Sequence, residues 1–486
     1  MSINNIVLKG AVACSLFFSA CATKQAEEGK ADHPNIVFIY ADDLGWADLG
    51  CYGNTYHETP NIDRLAQQGM KFTDAYAPAP VCSPARAGVF SGQYPARVGL
   101  TDWIPGHWRP YESKLAVINR TQYLPLEIET MGESLQKAGY HTGYFGKWHL
   151  GYDDQYAVEN QGFDEVVRFT KGGTYYNLDK RLTPPQPQLA DSAYLTDVLT
   201  DFAIDFIDKN KDSTFMLVVS HFAVHLPLDV PDSLLTPFLT KEKTEEVNNP
   251  WYAAMMKSLD NNVGRLMDKL DALGLNDNTM IVFYSDNGGL YTPYRPEYLK
   301  YTRNQPVTSN APLRGEKGNL YEGGIRVPLI VKWPGHVADS SENHALVNGI
   351  DFYPTFLELA NYDSDDLTLD GKSIVPIFDN PALFDDRTEY WHYPVYHHDR
   401  PASAVRCGDY KLIKRYNDEI TYELYHLKND LAERNDLSET EKGITNKLIG
   451  LLDDHLTSIG ADMPQDNPNF DEERRAEWGD HPDAGR

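Results

Sequence analysis

Short runs of β-branched and aromatic residues recur along the chain, and this recurrence constrains the fold more than any other feature. The runs are Ile36–Tyr40, Phe215–Ser220 and Met280–Tyr284. Their length is that of a strand buried on both faces of a parallel sheet. Amphipathic stretches that predict helices are Thr130–Ala138, Ser192–Lys209 and Trp251–Leu273. Strands that alternate with helices predict an α/β domain with a mostly parallel central sheet.

Charged and metal-binding side chains directly follow several of the predicted strands. They are Asp42 and Asp43 after the first run, His221 and His225 after the second, Asp286 and Asn287 after the third, and Lys147 and His149 after the shorter run His141–Phe145. Ligands bind such sheets beyond the carboxyl ends of the strands. We therefore expect these side chains to meet at one edge of the sheet.

Four of these residues offer only oxygen ligands: Asp42, Asp43, Asp286 and Asn287. Such a set suits a hard cation, calcium or magnesium, better than zinc, which recruits His or Cys. A single Asp after a strand often caps the next helix instead. Two adjacent Asp residues after one strand and an Asp-Asn pair after another favour a metal site.

The formal charge of the 486-residue chain is −27. Nucleic acid and anionic membrane surfaces both require a basic footprint, so we expect neither as the main partner. An anionic substrate has to be held by a local cluster of cations. The length predicts about two to three domain units.

The N-terminus has the features of an export segment. An apolar run after Lys9 ends at Ser19-Ala20-Cys21, and we interpret residues 1–20 as a removed export signal. The small residues before Cys21 resemble a bacterial lipobox, which predicts a lipid anchor on Cys21 and a polar tether over 21–32. The alternative is a plain cleaved signal with an incidental cysteine. The predicted location is the outer membrane of a Gram-negative bacterium, on its periplasmic or cell-surface side.

The rest of the chain divides by composition. We predict a catalytic domain over 33–361 and a smaller C-terminal α+β unit with a short antiparallel sheet over 362–460. Its strand-like segments include Ala402–Arg406 and Tyr410–Ile413. Residues 461–486 are rich in Asp, Glu, Pro and Asn, which predicts an acidic tail that wraps the surface or is disordered.

Three cysteines lie beyond the N-terminal segment that contains Cys14 and Cys21. Cys51 and Cys407 form either a disulfide or two free thiols, and the sequence leaves both open. Cys82 is then unpaired, and its surroundings require an explanation.

Cys82 lies in the segment Val81-Cys82-Ser83-Pro84-Ala85-Arg86. Pro84 can begin a helix whose first N–H groups point back toward residue 82 and attract an anion. Arg86 adds a fixed cation at the same place. This environment is typical of a reactive group rather than of a structural cysteine.

The segment 82–86, followed by Ser91-Gly92-Gln93-Tyr94-Pro95, resembles the signature of the type I sulfatases. Further segments that match this family, in its order, are 35–45, 143–151, 285–289 and 313–326. The resemblance covers residues 33–415 and is closest to arylsulfatase-like enzymes of bacteria that degrade polysaccharides. It implies an alkaline-phosphatase-like α/β sandwich and a sulfuric ester hydrolase.

The resemblance also implies a modified nucleophile. In this family the cysteine, here Cys82, is oxidised to formylglycine (3-oxoalanine), so a formylglycine-generating enzyme is an expected partner. The hydrated aldehyde has two hydroxyls on one carbon. One attacks sulfur and expels the alcohol, and the other then loses a proton and eliminates sulfate, which regenerates the aldehyde.

Roles for the other residues follow from the same resemblance. Asp42, Asp43, Asp286 and Asn287 correspond to the ligands of one calcium ion, with magnesium less suitable, and modified Cys82 completes the shell. Arg86 orients the hydrate, and Lys147 and Lys317 contact the sulfate oxygens. His149 is the base of sulfate release and His225 protonates the leaving oxygen. His221 is a competitor for the second role.

Substrate specificity is predicted only from aromatic and cationic clusters in loops. The candidate substrate-binding residues are Trp103, His107, Arg109, Tyr175, Tyr291, Arg295, His397 and His398, with Trp108, Tyr176 and Tyr396 beside them. Aromatic platforms with Arg or His suit a sulfated sugar, but each aromatic could equally pack the two domains together. The expected substrate is a sulfated polysaccharide or its oligosaccharides, such as ulvan, carrageenan or a host glycosaminoglycan.

Two other functions remain open at this point. A phosphate or phosphonate monoester hydrolase of the same superfamily can use the same Cys82 motif, although the Lys147, His149 and Lys317 set favours sulfate. A non-catalytic surface glycan-binding lipoprotein is the other. That function would tolerate loss of the cysteine or carboxylates, yet all are present.

Overall fold

The computed structural model describes residues 33–106, 110–112, 114–116, 121–169, 173–244, 247–416, 419–477 and 479. The strands are β1 Asn35–Ala41, β2 Met70–Phe72, β3 Ala75–Tyr76, β4 Leu115–Ala116, β5 His141–Lys147, β6 Glu165–Phe169, β7 Leu182–Thr183, β8 Phe215–Ser220, β9 Thr279–Ser285, β10 Leu329–Lys332, β11 Ser341–Asn343, β12 Val347–Asn348, β13 Thr388–Tyr393, β14 Ala402–Cys407, β15 Tyr410–Arg415, β16 Thr421–His426 and β17 Gln465–Asp466. The helices are α1 Pro60–Gln67, α2 Cys82–Ser91, α3 Pro95–Val98, α4 Met131–Lys137, α5 Leu195–Asn210, α6 Asp232–Leu239, α7 Pro250–Ala272, α8 Glu322–Ile325, α9 Phe352–Leu359 and α10 Lys442–Ser458. Short 3-10 turns connect several of them.

A nine-stranded mixed sheet forms the centre, in the order β11-β2-β10-β9-β1-β8-β5-β6-β7. Strand β1 lies between β8 and β9 and is parallel to both. Strand β5 is parallel to β8 and to β6, whereas β10 and β7 pair antiparallel with their neighbours. The predicted, mostly parallel central sheet is confirmed.

Both faces of this sheet are buried because successive side chains of a strand point to opposite faces. In β1, Val37 and Ile39 pack into a core shared with α1, α5, α6 and α7. Their neighbours Phe38 and Tyr40 pack into a second core shared with α2, α4 and α9. Helices on both faces explain why the strand runs read as continuously apolar.

A second sheet of four antiparallel strands, in the order β13-β14-β15-β16, confirms the predicted C-terminal α+β unit. Helix α10 covers one face, where Leu448 and Leu452 pack on Val405 and Leu412. The other face packs toward the central domain through Trp391 and its neighbours. The described residues from His33 onward belong to one compact unit.

Two details differ from expectation. Helix α2 begins at Cys82 rather than at Pro84, because Val81 is extended and Cys82 already has helical geometry. Cys51 and Cys407 are free thiols, so the disulfide alternative is wrong in this structure. Cys51 packs beside the central sheet and Cys407 ends β14, in two separate cores.

The part of the acidic tail that the structure describes lies along the surface. Strand β17 pairs with β4, and the Asn467 amide donates to the Lys114 carbonyl at 2.6 Å. The Arg474 guanidinium lies 3.6 Å from the centre of the Tyr111 ring. No helix among the described residues has the length and apolarity needed to cross a membrane.

A buried histidine in β13 predicts a pH dependence of stability. His392 Nδ1 lies 2.6 Å from Ser403 Oγ and Nε2 lies 2.9 Å from the Asp462 carbonyl. Burial lowers its pKa from 6.5 to about 4. The neutral ring therefore stabilises the fold fully above pH 6.5, and this stability is lost as the pH falls toward 4. We expect a loss of about 3 kcal/mol over that interval from this group.

Urea unfolding of the His392→Gln variant at pH 7 and pH 4.5 measures this effect. The free energy of unfolding of the variant should fall less between the two pH values than that of the wild type. His336→Gln, at an exposed position, is the matched control. Equal losses in all three proteins would contradict the assignment.

Candidate active site

The acidic residues meet because β1 and β9 are neighbours in register. Ala41 pairs with Ser285, so Asp42 and Asp43 lie beside Asp286 and Asn287. The Asp43 amide donates to Asp286 Oδ1 at 3.1 Å, and the Asn287 side-chain amide donates to Asp43 Oδ1 at 2.8 Å. Asp43 has a φ of 60°. This left-handed conformation is unusual for a residue other than glycine and indicates a constrained site.

Cys82 is the first residue of α2, and its side chain is buried against this acidic cluster. The Lys317 ammonium lies 3.6 Å from Cys82 Sγ. Burial alone would raise the pKa of the thiol, but the ammonium groups of Lys147 and Lys317 outweigh it and hold the pKa well below its usual value. A thiolate is the reactive form of cysteine, so the electrostatics of this position favour chemistry.

Arg86 lies one turn further along α2 and is completely buried. Its Nε and Nη2 donate to Asp286 Oδ2 at 3.1 and 2.8 Å, and its Nη1 donates to the Lys147 carbonyl at 3.0 Å and to Ser220 Oγ at 2.8 Å. The guanidinium thus joins the ends of β5, β8 and β9. It holds the helix that carries Cys82 against the sheet edge.

The two predicted lysines each hold one of the adjacent carboxylates. Lys147 Nζ donates to both oxygens of Asp42, at 2.9 and 2.7 Å, and Lys317 Nζ donates to both oxygens of Asp43, at 2.6 and 2.8 Å. Burial alone would raise the pKa of Asp42, but Lys147 is the main charge that holds it well below its usual range. Four charged groups therefore converge in a buried position.

The three predicted histidines are placed differently relative to this centre. His149 Nε2 lies 2.7 Å from the Ile104 carbonyl, and its buried Nδ1 has no hydrogen-bond partner among the described residues. His225 Nε2 lies 3.6 Å from Asp43 Oδ2, and its side chain is 27% exposed. His221 is fully buried, and burial lowers its pKa to about 3. It does not line the cleft described below.

The donor set fits a hard cation. Asn287 Oδ1 is buried and has no hydrogen-bond partner among the described groups, although its amide nitrogen is bonded. A buried orphan oxygen needs a partner, and a cation between the carboxylates would provide one. Ligand atoms of Asp42, Asp43, Cys82 and His225 also lie within 4.8 Å of one another.

A cleft of about 760 Å³ opens above this centre. We call five of its lining residues the floor: Asp43, Cys82, Lys147, His149 and Lys317. His225 also lines the cleft. The walls are mainly aromatic and apolar. They are formed by Trp103, Ile104, Trp148, Tyr152, Phe169, Phe222, Leu226, Leu290, Pro293, Tyr294 and Tyr298, together with Arg168, His397 and His398. A tetrahedral anion on the floor would contact two ammonium groups and a buried nucleophile.

Only some of the predicted substrate-binding residues line the cleft. Trp103, His397 and His398 line the cleft. Tyr175 does not, because it is fully buried and its hydroxyl donates to the carbonyls of Phe222 and His225. It supports the His225 loop from behind. Tyr291 is half-exposed and also lies outside the cleft lining.

Arg295 pairs with Glu297 and does not line the cleft either. His107, Trp108 and Arg109 lie outside the described residues. The walls also contain four residues that were not predicted from the sequence: Tyr152, Arg168, Tyr294 and Tyr298. Two of them flank Arg295 in the aromatic segment 294–298, which was the available signal.

Comparison with known proteins connects this site to a family. The sulfatase family matches residues 34–362, and the C-terminal family of N-sulphoglucosamine sulphohydrolase matches residues 315–460. A sulfatase of Formosa agariphila is 34% identical, with 89% of each chain covered. Human arylsulfatase A is 32% identical over 78% of this chain and 74% of its own. The crystal structure of Ps i-CgsB in complex with k-i-k-neocarrahexaose aligns with a TM-score of 0.72 at 30% identity, covering 90% of this chain and 95% of that one.

Proposed function

The chain belongs to the sulfatase family, and from that premise we propose that it hydrolyses sulfate esters of a sulfated polysaccharide or its oligosaccharides with a nucleophile made from Cys82. One observation carries the proposal: a buried thiol at a helix start lies between two ammonium groups and an acidic cluster, at the floor of a cleft. A sulfate monoester spreads negative charge over its oxygens, so its transition state needs fixed cations.

The modification of Cys82 fits its surroundings. The thiol is free, is the first residue of α2 and faces the cleft. Formylglycine at this position would supply a hydrated aldehyde as nucleophile. Arg86, through its contacts with Asp286 and Ser220, would hold the helix start in place.

We further propose that Asp42, Asp43, Asp286 and Asn287 hold the cation, with calcium favoured by the oxygen-only set. When bound, such a cation offsets the charge of the sulfate and of the nucleophile. Lys147 and Lys317 present ammonium groups to sulfate oxygens from the floor. The orphan Nδ1 of His149 is available to accept a proton beside Cys82, and the exposed His225 to give one to the leaving oxygen.

The proposed substrate class rests on the cleft and on one relative. Aromatic walls with Arg168 and histidines suit a sugar ring next to the sulfate. A protein similar in sequence and fold was solved in complex with k-i-k-neocarrahexaose, which supports an oligosaccharide as the substrate of this chain.

A desulfation screen tests the function. Purified protein is incubated with defined sulfated oligosaccharides, with an aryl sulfate and with an aryl phosphate, and released sulfate or phosphate is measured. We expect turnover of the sulfate esters and a much slower reaction with the phosphate. A preference for aryl phosphate would instead support a phosphate or phosphonate monoester hydrolase.

We also propose export as a lipoprotein anchored through Cys21, on the strength of the Ser19-Ala20-Cys21 segment, which lies outside the described residues. Mass spectrometry of the mature protein from a Gram-negative host should find Cys21 as a lipidated first residue. Cys21→Ser should leave the protein unlipidated. Retention of residues 1–20 on the wild-type protein would contradict the proposal.

A further inference from the structure

Both ring nitrogens of His398 lie within hydrogen-bonding distance of a backbone carbonyl oxygen. It lies in the loop between β13 and β14 and lines the cleft. Its Nδ1 lies 2.9 Å from the Lys317 carbonyl, and its Nε2 lies 2.8 Å from the Thr292 carbonyl. One ring thus joins the segment of a catalytic lysine to the wall of the cleft.

The chemistry of the two acceptors decides the protonation of the ring. Carbonyl oxygens only accept hydrogen bonds, whereas a neutral imidazole has a single N–H. Both contacts are hydrogen bonds only if both nitrogens of His398 carry a proton. The same Nδ1 lies 3.0 Å from Nδ1 of His397. Because the His398 nitrogen carries a proton, the His397 nitrogen faces it as an acceptor.

The Glu316 carboxyl group interacts electrostatically with His398. The Glu316 carboxylate accepts from the amides of Tyr291 and Thr292, at 2.6 and 2.9 Å, beside His398. Burial raises the pKa of Glu316, and the nearby His398 opposes that rise. The Lys317 ammonium points to Asp43.

Two aromatic rings complete the surroundings of His398. The Tyr294 ring packs edge-on at 5.6 Å, and the His397 ring packs edge-on at 4.6 Å. The next residue, Asp399, is paired with Arg415 at 2.6 Å. The Asp399 carboxylate is therefore paired with Arg415, and the Lys317 ammonium is paired with Asp43.

The backbone at Gly318, next to Lys317, is packed closely against His397. Gly318 has a φ of +86°, and a Cβ there would lie 1.9 Å from His397 Nδ1. The Gly318 amide donates to the Pro80 carbonyl at 2.9 Å, next to the Cys82 helix. The peptide between Lys317 and Gly318 is thus in contact with both histidines: His398 contacts the Lys317 carbonyl, and His397 packs against Gly318. A shift of this peptide moves the ammonium relative to Cys82.

We propose that His398 is a positioning residue: as a doubly protonated imidazolium it clamps the Lys317 main chain to Thr292, and it holds His397 with Nδ1 as acceptor and the proton on Nε2. The proposal rests on the proposed function, because it assigns His398 to the placement of the Lys317 ammonium. The two neighbouring histidines therefore have different roles, because both nitrogens of His398 bind main-chain carbonyls.

The protonation state is tested by NMR of the full chain with ¹⁵N-labelled histidine near neutral pH. The His398 resonances are identified as those missing from the His398→Phe variant. We expect two N–H protons on His398 and one, on Nε2, for His397. A single N–H on His398 would overturn the clamp. This measurement does not depend on activity, so it separates failure of the clamp from failure of the proposed function.

The positioning role is tested by kinetics of His398→Phe with an aryl sulfate. We expect kcat to fall by about tenfold to a hundredfold, the cost of a catalytic group displaced by about 1 Å, with a smaller change in KM. His336→Phe, at an exposed position outside the cleft lining, is the control and should keep wild-type constants. Thermal unfolding of both variants checks the fold. A folded His398→Phe protein with unchanged kcat would overturn the role.

Discussion

Replacing Cys82 with alanine is expected to lower kcat for sulfate ester hydrolysis by about 10⁵-fold or more, as does removal of other covalent nucleophiles. The methyl group of alanine cannot be converted into an aldehyde, so the floor of the cleft keeps its cations and loses its nucleophile. The two lysines would still bind a sulfate ester. The Cys82→Ala protein should therefore lose aryl sulfate turnover but retain equilibrium binding of an oligosaccharide. Both are measured on the same protein.

Cys407→Ala is the matched control, because this free, half-buried thiol ends β14 and lies outside the cleft lining. It should keep wild-type turnover. Mass spectrometry of the peptide that contains Cys82 should detect an aldehyde in the active wild-type protein. An unmodified thiol in fully active enzyme would contradict the mechanism, whereas a Cys82→Ala protein with wild-type turnover would contradict the site itself.

The core of the fold and the floor of the cleft were predictable from sequence because both depend on local patterns. Continuous apolar runs identify β1, β8 and β9, and the structure extends two of them by a residue at each end. Parallel strands end at a common edge, so Asp42 and Asp286 were expected at the same edge of the sheet. They are neighbours because β1 and β9 are adjacent, which the structure shows. Arg86 was predicted as a fixed cation near a helix start at Pro84, whereas the helix begins at Cys82 and places Arg86 one turn after it.

The cleft walls were less predictable because loops from distant parts of the chain form them. Tyr152 and Tyr298 are separated by almost 150 residues, and no periodicity brings them together. Tyr175, by contrast, was predicted to bind substrate but does not line the cleft. An aromatic residue in a polar loop resembles a sugar platform, yet it packs against Phe222 and Tyr194 under the His225 loop. Only tertiary packing separates these two outcomes.

The net negative charge of the chain contrasts with the cations that are buried at the floor of the cleft. A net charge of −27 repels anions at long range. The cations that matter, Lys147, Lys317 and Arg86, are buried, where attraction is stronger and less screened than at the surface. Each is also paired with a carboxylate of the proposed metal site. The same carboxylates thus hold the lysines and offer oxygen atoms to a cation, so metal binding and lysine placement depend on each other.

Replacing Asn287 with leucine is expected to weaken calcium binding by about a hundredfold or more, since even supporting residues around metal sites contribute about 10- to 100-fold. Leucine keeps the branched shape of the side chain but removes the orphan Oδ1. At calcium concentrations a hundred times the Kd, the wild type should gain about 2.7 kcal/mol of stability, and a variant with hundredfold weaker binding about 0.4 kcal/mol. Calorimetric titration of chelator-treated protein and unfolding with and without calcium measure both quantities.

The exposed Asn278→Leu is the matched control, because it makes the same side-chain change before β9 rather than after it. It should keep wild-type calcium affinity and the full gain in stability. The metal-free Asn287→Leu protein loses the side-chain hydrogen bonds to Asp43 and to the Gly288 carbonyl, so its gain in stability with calcium is measured against its own metal-free state. Wild-type calcium affinity in Asn287→Leu would show that this side chain is not a ligand. The orphan oxygen would then require another partner, because nothing else among the described residues satisfies it.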